Sequence, residues 1–209
     1  MADCITDFNY RQLPNIFQPE KGYRFSMDAL MLASHVKVGG NERLIDIGCG
    51  SGIISIILAY KYPYLKIMGI EIQEELCTLA QKNIMENGLE GRVSIVHDDV
   101  KNVKIRRAEE LADIIVTNPP FGKKGEGRIS PNPQKAIARH EIALDLDSLL
   151  KCSNKLLKDK GRLFMIFPFN RRRELEQRLI RYHFRAEYIR DIQIKRDKEP
   201  LRIIACAVK

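Results

Sequence analysis

The chain has 209 residues, enough for one domain with a single three-layer core that needs neither disulfides nor metals. No basic start runs into an apolar stretch, and no run approaches the roughly 20 consecutive apolar residues of a membrane span, so composition argues against secretion and insertion and for a cytoplasmic protein. The formal net charge of +8 favours a polyanion such as RNA or DNA as partner and disfavours basic proteins.

In chain order, residues 1–42 carry no clear period and are expected to cap one end of a sheet formed by residues 43–209. From Arg43 onward, β-branched runs alternate with helical patterns, the signature of a parallel sheet covered on both faces. The runs Arg43–Ile47, Leu65–Glu71, Arg92–His97, Leu111–Thr117, Arg162–Phe167, Tyr188–Ile194 and Arg202–Val208 are predicted strands. Helices are predicted over Ile53–Tyr62, Glu74–Asn87, Ala136–Leu157 and Arg171–Tyr182, with Gly88 stopping the second. Only the charged turn Lys195–Pro200 separates the last two strands, which predicts an antiparallel hairpin at the sheet edge. Pro119 to about Gln134 is too long for an idle connection and is read as a substrate loop. The cysteines Cys4, Cys49, Cys77, Cys152 and Cys206 are scattered, without C-x-x-C or zinc spacing, and are read as reduced thiols.

Strand one runs into Asp46-Ile-Gly48-Cys-Gly50-Ser-Gly52. Glycine is required where backbone takes positive φ or closely approaches a ligand, and such a sheet binds ligands beyond the carboxyl ends of its strands. A dinucleotide site has the spacing G-x-G-x-x-G, which leaves a helix N-terminus for a pyrophosphate. Here an Asp two residues before the first glycine disfavours pyrophosphate and suits a ligand bearing an ammonium, met by Asp46 directly or through water. Glu71, ending strand two, is placed to accept ribose hydroxyls, and Asp99, chosen over Asp98 because Val100 follows it, to accept from an adenine amine. The glycine motif alone is a structural turn about as often as a site, and Glu71 or Asp99 alone is usually a strand-end turn residue; together, at successive strand ends, they predict S-adenosylmethionine as cofactor.

Strand four ends in Asn118-Pro119-Pro120-Phe121. A sulfonium methyl is already electrophilic, so its transfer needs positioning and charge stabilisation more than a strong base. The Asn118 side-chain oxygen and the Pro119 carbonyl would each accept one N–H of a conjugated amine and aim its lone pair. Pro119 and Pro120 stiffen the turn, and Phe121 offers a flat face to a base. His140, the rival for a base, is given a helix-start or substrate-contact role.

These residues resemble the amino-methyltransferases with an Asn-Pro-Pro-Tyr/Phe motif, most closely the bacterial valine-tRNA adenine-N6-methyltransferase family. The resemblance extends from Phe17-Gln-Pro-Glu-Lys-Gly-Tyr-Arg-Phe-Ser-Met-Asp28 through the two motifs to Ala138-Arg-His-Glu141, with Phe121 replacing the commoner tyrosine. It implies an α/β, Rossmann-like class I methyltransferase fold with a seven-stranded, mostly parallel sheet. It also implies Arg24 and Phe25 as cofactor contacts beside Asp46, Gly48, Gly50, Gly52, Glu71, Asp99 and Asn118. The implied substrate is an adenine splayed out of folded tRNA, in the anticodon loop of valine tRNA. Lys123, Lys124, Arg128, Arg139 and His140 are the candidate RNA contacts. Lys104-Ile-Arg-Arg107, Arg171-Arg-Arg173 and Lys195-Arg196 are weaker ones. No metal or membrane is implied, and the chain is expected to act as monomer or homodimer. The competing readings are N5-methylation of a protein glutamine, methylation of an adenine in rRNA or DNA, and a noncatalytic RNA-binding module.

Overall fold

The computed structural model describes residues 15–19, 24–122, 144–193 and 200–209. Seven strands, β1 Arg43–Ile47, β2 Lys66–Glu71, β3 Val93–His97, β4 Ala112–Thr117, β5 Leu157–Pro168, β6 Arg185–Ile192 and β7 Arg202–Val208, form one sheet in the order β3-β2-β1-β4-β5-β7-β6. The first five in that order run parallel, and β7 is antiparallel to both β5 and β6. The predicted edge hairpin therefore forms, although part of its turn, residues 194–199, lies outside the described residues.

Alternation along the strands divides the core into two layers. Leu44, Ile67, Ile114, Val116 and Phe164 face a layer closed by α1 Met27–His35 and α2 Ile53–Lys61, which Ile84 of α3 Glu74–Glu86 joins. Ile45, Ile47, Ile115, Leu163 and Phe167 face a second layer closed by α4 Leu146–Leu156 and α5 Arg172–Arg181.

Within the N-terminal segment, expected to cap one end of the sheet, Met27–His35 form the helix α1, which shows no period. Asp28 to Ala33 are consecutively buried, because α1 lies against both α2 and β5; a helix buried nearly all round has no polar face to give it a period. It covers a face of the sheet. The helix predicted from Ala136 is described only as Leu146–Leu156, residues 136–143 lying outside the described residues. Its start is set by Asp145, whose carboxylate accepts the Ser148 N–H at 2.7 Å. Strand β5 begins five residues earlier than predicted, at Leu157 rather than Arg162. A register shift between Ala112 and Ile114 accommodates Lys160, at φ 63°, and Gly161, which no predicted element included. Strand β6 lies three residues upstream of its predicted start, beginning at Arg185. Gly88 stands where predicted, at φ 64°, and its N–H bonds to the Met85 carbonyl.

Asn83, fully buried on α3, is a fastening point that no period reveals. Its side chain accepts the Phe17 N–H at 2.8 Å and donates to the Phe17 carbonyl at 3.0 Å and the Ser51 carbonyl at 2.8 Å. It thus ties the N-terminal segment to the glycine-rich turn. Asn83→Ala strands these backbone groups and is expected to cost about 2 kcal/mol, seen as a lower denaturant midpoint at unchanged slope.

Candidate active site

The carboxyl ends of the parallel strands are level. Ile47 pairs with Ile70 and Thr117, and Glu71 with His97. The strand order reverses between β1 and β4, so the connections leave on opposite sides and open a crevice there. A cleft of about 690 Å³, counting its open mouth, lies at this point. Gly48 and Gly50 from the β1 turn, Glu71 from β2, Asp98 and Asp99 from β3, and Asn118 to Pro120 from β4 all line it. Ile47, Ile70, Leu76, Val100 and Leu144 give it apolar walls. Residues from four separate strand ends thus meet in one place.

The glycine turn is built for close approach. Gly48, Gly50 and Gly52 have φ of 72°, 56° and 85°, and a Cβ on Gly48 would project into open space. Gly48 N–H bonds to the Ile70 carbonyl at 2.9 Å, and Gly50 N–H to Glu71 Oε2 at 2.8 Å. Glu71 Oε1 accepts the Gln73 N–H at 2.9 Å, so both carboxylate oxygens are held while each keeps acceptor capacity. Burial raises the Glu71 carboxyl above its usual range, against the pull of the Gln73 and Gly50 N–H groups.

Asp46 lies one residue behind this wall, fully buried. Oδ2 accepts from Ser55 Oγ at 2.8 Å, whereas Oδ1 is a buried oxygen with no hydrogen-bond partner among the described residues. Burial pushes the Asp46 carboxyl up to about 7, with Glu71 adding to the rise and Ser55 opposing it. Burial also pushes the Cys49 thiol well up, which keeps it protonated and inert.

Of the adjacent acids, both Asp98 and Asp99 face the cleft. Asp99 accepts the Lys101 N–H at 2.9 Å and pairs with Lys101 Nζ at 3.0 Å; Asp98 accepts the Asp99 N–H at 2.7 Å. Val100 lines the cleft beside them, as its apolar character suggested.

On the β4 side, Thr117 Oγ1 donates to the Ile47 carbonyl at 3.0 Å and locks β4 to β1 just before Asn118. Phe121 lies beyond the cleft lining, half-buried between the two core layers. Its ring meets Phe167 edge to face at 6.4 Å between centroids and carries the Arg202 guanidinium at 4.7 Å. The guanidinium thereby covers one face of the ring.

Gly52, Arg24 and Phe25 do not line the cleft. Gly52 starts α2; Arg24 is exposed and bonds Gln18 at 3.5 Å; Phe25 packs on the first core layer. Lys123, Lys124, Arg128, Arg139 and His140 lie outside the described residues, as do Lys195 and Arg196. Within Arg171–Arg173, Arg171 is held by Glu174 and Phe121, and Arg172 by Glu176 and Asp191, which leaves Arg173 as the exposed member. Lys104, Arg106 and Arg107 are exposed on the β3–β4 connection. Ser55, Gln73, Leu76 and Arg202 carry no motif in the sequence; Arg202, for example, acts through Asp28, far away in the chain. Arg171 reads there only as one of a basic cluster. Among the described residues no cluster of His, Cys, Asp or Glu could hold a metal, and no helix is long and apolar enough to cross a membrane.

This sheet order, with a glycine-rich turn and acidic strand ends around the switch-point crevice, defines a class I S-adenosylmethionine-dependent methyltransferase. The model of the Methyltransferase small domain family matches residues 11–191, and the chain belongs to that family. Among curated relatives, the tRNA1(Val) (adenine(37)-N6)-methyltransferase of Aliivibrio salmonicida is 27% identical over 88% of this chain and 76% of its own length. The enzyme of that name from Porphyromonas gingivalis is 30% identical over 78% of this chain and 64% of its own length, so the match spans less than two thirds of that relative. Among solved structures, a predicted O-methyltransferase of Agrobacterium tumefaciens, protein Atu636, superposes with a TM-score of 0.67 at 19% identity, covering 88% of this chain and 81% of that one. S-adenosylmethionine is the cofactor of the class. The orphaned Asp46 Oδ1 behind the glycine turn fits its ammonium group.

Proposed function

We propose that the chain methylates the N6 amine of an adenine in tRNA, at position 37 of a valine tRNA as in the names of its relatives. The observation that carries this reading is that Asn118 and Pro119 line the same cleft as Gly48, Gly50, Glu71 and Asp99. An acceptor pair for an amine thereby adjoins a cofactor site.

S-adenosylmethionine supplies an activated methyl group on a sulfonium. Glu71 holds the ribose hydroxyls, and Asp99 the adenine amine of the cofactor beside Val100. Asp46 meets the cofactor's ammonium through water. The target adenine, splayed out of its loop, donates its two N6–H bonds to Asn118 Oδ1 and the Pro119 carbonyl. This turns the nitrogen lone pair toward the methyl carbon and stabilises the positive charge that grows on nitrogen during transfer. The proton then leaves to water, so the step needs no histidine. Lys104, Arg106 and Arg107, exposed on the connection that leaves the cleft wall, are suited to RNA phosphates. Such a substrate belongs to the cytoplasm.

The same acceptors suit a glutamine carboxamide, and the chain's charge of +8 favours RNA over that alternative. Incubation with radiolabelled S-adenosylmethionine, undermethylated tRNA and a glutamine-containing protein, followed by separation of the two, tests the choice. Label is expected in tRNA; label confined to protein would overturn the assignment.

A further inference from the structure

The acceptor turn is gripped from outside the cleft by a ring of contacts that the transfer chemistry does not itself require. Arg171 Nη1 donates to the Phe121 carbonyl at 3.1 Å. Its Nε and Nη2 form a two-point fork with Glu174, at 3.0 and 2.9 Å, in the first turn of α5. The Arg171 guanidinium also lies over Phe167 at 4.7 Å, and Phe167 meets the Phe121 ring edge on. Carbonyl, guanidinium, Phe167 and the Phe121 ring thus close a cycle around one residue.

A second arginine grips the ring of Phe121 itself. Arg202, at the start of β7, lies over it at 4.7 Å, and its Nε donates to Asp28 Oδ2 of α1 at 3.1 Å. The side chains of Arg171 and Asp28 are only 10% and 11% exposed. Burying charge to that degree is costly unless it is paired and hydrogen-bonded, as both are here. Phe121 follows Pro119 by two residues across Pro120, whose ring fixes φ, so holding the Phe121 carbonyl and ring narrows the directions open to the Pro119 carbonyl.

We propose that Arg171 and Arg202 are positioning residues for the Asn118–Phe121 turn, Arg171 acting through the Phe121 carbonyl and Arg202 through its ring. This rests on the reading of Asn118 and Pro119 as the amine's acceptors. Arg171 holds the turn at the geometry of transfer and takes no part in cofactor binding. Its loss therefore acts on kcat.

The test compares Arg171→Met, Arg202→Met and the conservative Arg171→Lys with the native chain. Readouts are kcat at saturating substrate, S-adenosylhomocysteine affinity by calorimetry, and melting temperature. Arg171→Met is expected to lower kcat about 100-fold, and Arg202→Met about 10-fold, since a small misplacement of reacting groups has effects of that order. Cofactor affinity should stay within about two-fold, and Arg171→Lys should recover part of kcat by restoring one donor. If Arg171→Met does not fold, Glu174→Gln, which keeps Arg171 but loosens its fork, is expected to lower kcat about 10-fold. A kcat near the native value, or a loss matched by an equal loss of cofactor affinity, overturns the proposal. The ratios are measured on whichever amine the native chain methylates, RNA adenine or protein glutamine. A native chain inactive on RNA refutes the substrate reading, whereas the ratios judge the arginines.

Discussion

Asn118→Ala is expected to lower kcat by about 100- to 1000-fold, the cost of removing one group that meets charge developing in a transition state. Cofactor affinity should remain nearly unchanged. Asn118 lines the cleft at the end of β4, and Thr117, bonded to the Ile47 carbonyl, holds that strand end in place without it. The substitution therefore removes an acceptor without dismantling the turn. Asn118→Asp keeps an acceptor oxygen and should retain more turnover than the alanine variant. Single-turnover kinetics with calorimetric cofactor titration separates the two effects. Near-native turnover by the alanine variant would place the amine elsewhere.

Asp46→Asn acts on binding, and its signature is in pH. Burial pushes the native carboxyl up to about 7 from an ordinary 3.8. A carboxyl raised on folding adds stability that is fully present below the unfolded value and is lost as pH rises through the folded one. The ligand-free chain should therefore lose stability between about pH 4 and 7 through this group, and Asp46→Asn should remove that part of the slope. Cofactor reverses the preference, because an ammonium near Oδ1 favours the ionised carboxylate. Affinity should rise with pH toward about 7 in the native chain and be flat in the variant. At pH 7.5, near neutral, Asp46→Asn is expected to weaken cofactor binding about 10- to 100-fold, the range for losing a hydrogen bond to a charged group. Native affinity in the variant would mean that the ammonium lies away from Asp46.

Several features were legible in the sequence because they are local. The glycine spacing, the acids at successive strand ends and the prolines after β4 are short patterns whose chemistry needs adjacent residues. The parallel sheet followed from the alternation of strand and helix patterns, and the final hairpin from the absence of a helical pattern between its strands. What stayed hidden depends on contacts far apart in the chain. Helix α1 has no period because Asp28 to Ala33 are all buried. Lys160 and Gly161 fall between the predicted helix and strand, and their place in β5 depends on Lys209, whose carbonyl accepts the Lys160 N–H at 3.2 Å and whose N–H bonds to the Gly161 carbonyl at 3.0 Å. Asp46 was placed as a direct or water-bridged contact, and its bond to Ser55 puts it a layer deeper, behind Ile47 and Gly48. Arg171 read as one of three phosphate-tracking arginines. Its bonds to Glu174 and Phe121 make it part of the turn's support.

The central claim is that the turn after β4 aims an exocyclic amine at the methyl group. The direct measurement is nucleoside analysis by chromatography and mass spectrometry of tRNA methylated by the purified chain with S-adenosylmethionine. The account predicts N6-methyladenosine as the new nucleoside, absent when Asn118→Ala is used. Methylation at a ring nitrogen or a carbon would contradict it, because two N–H acceptors on Asn118 and Pro119 have no such target to hold.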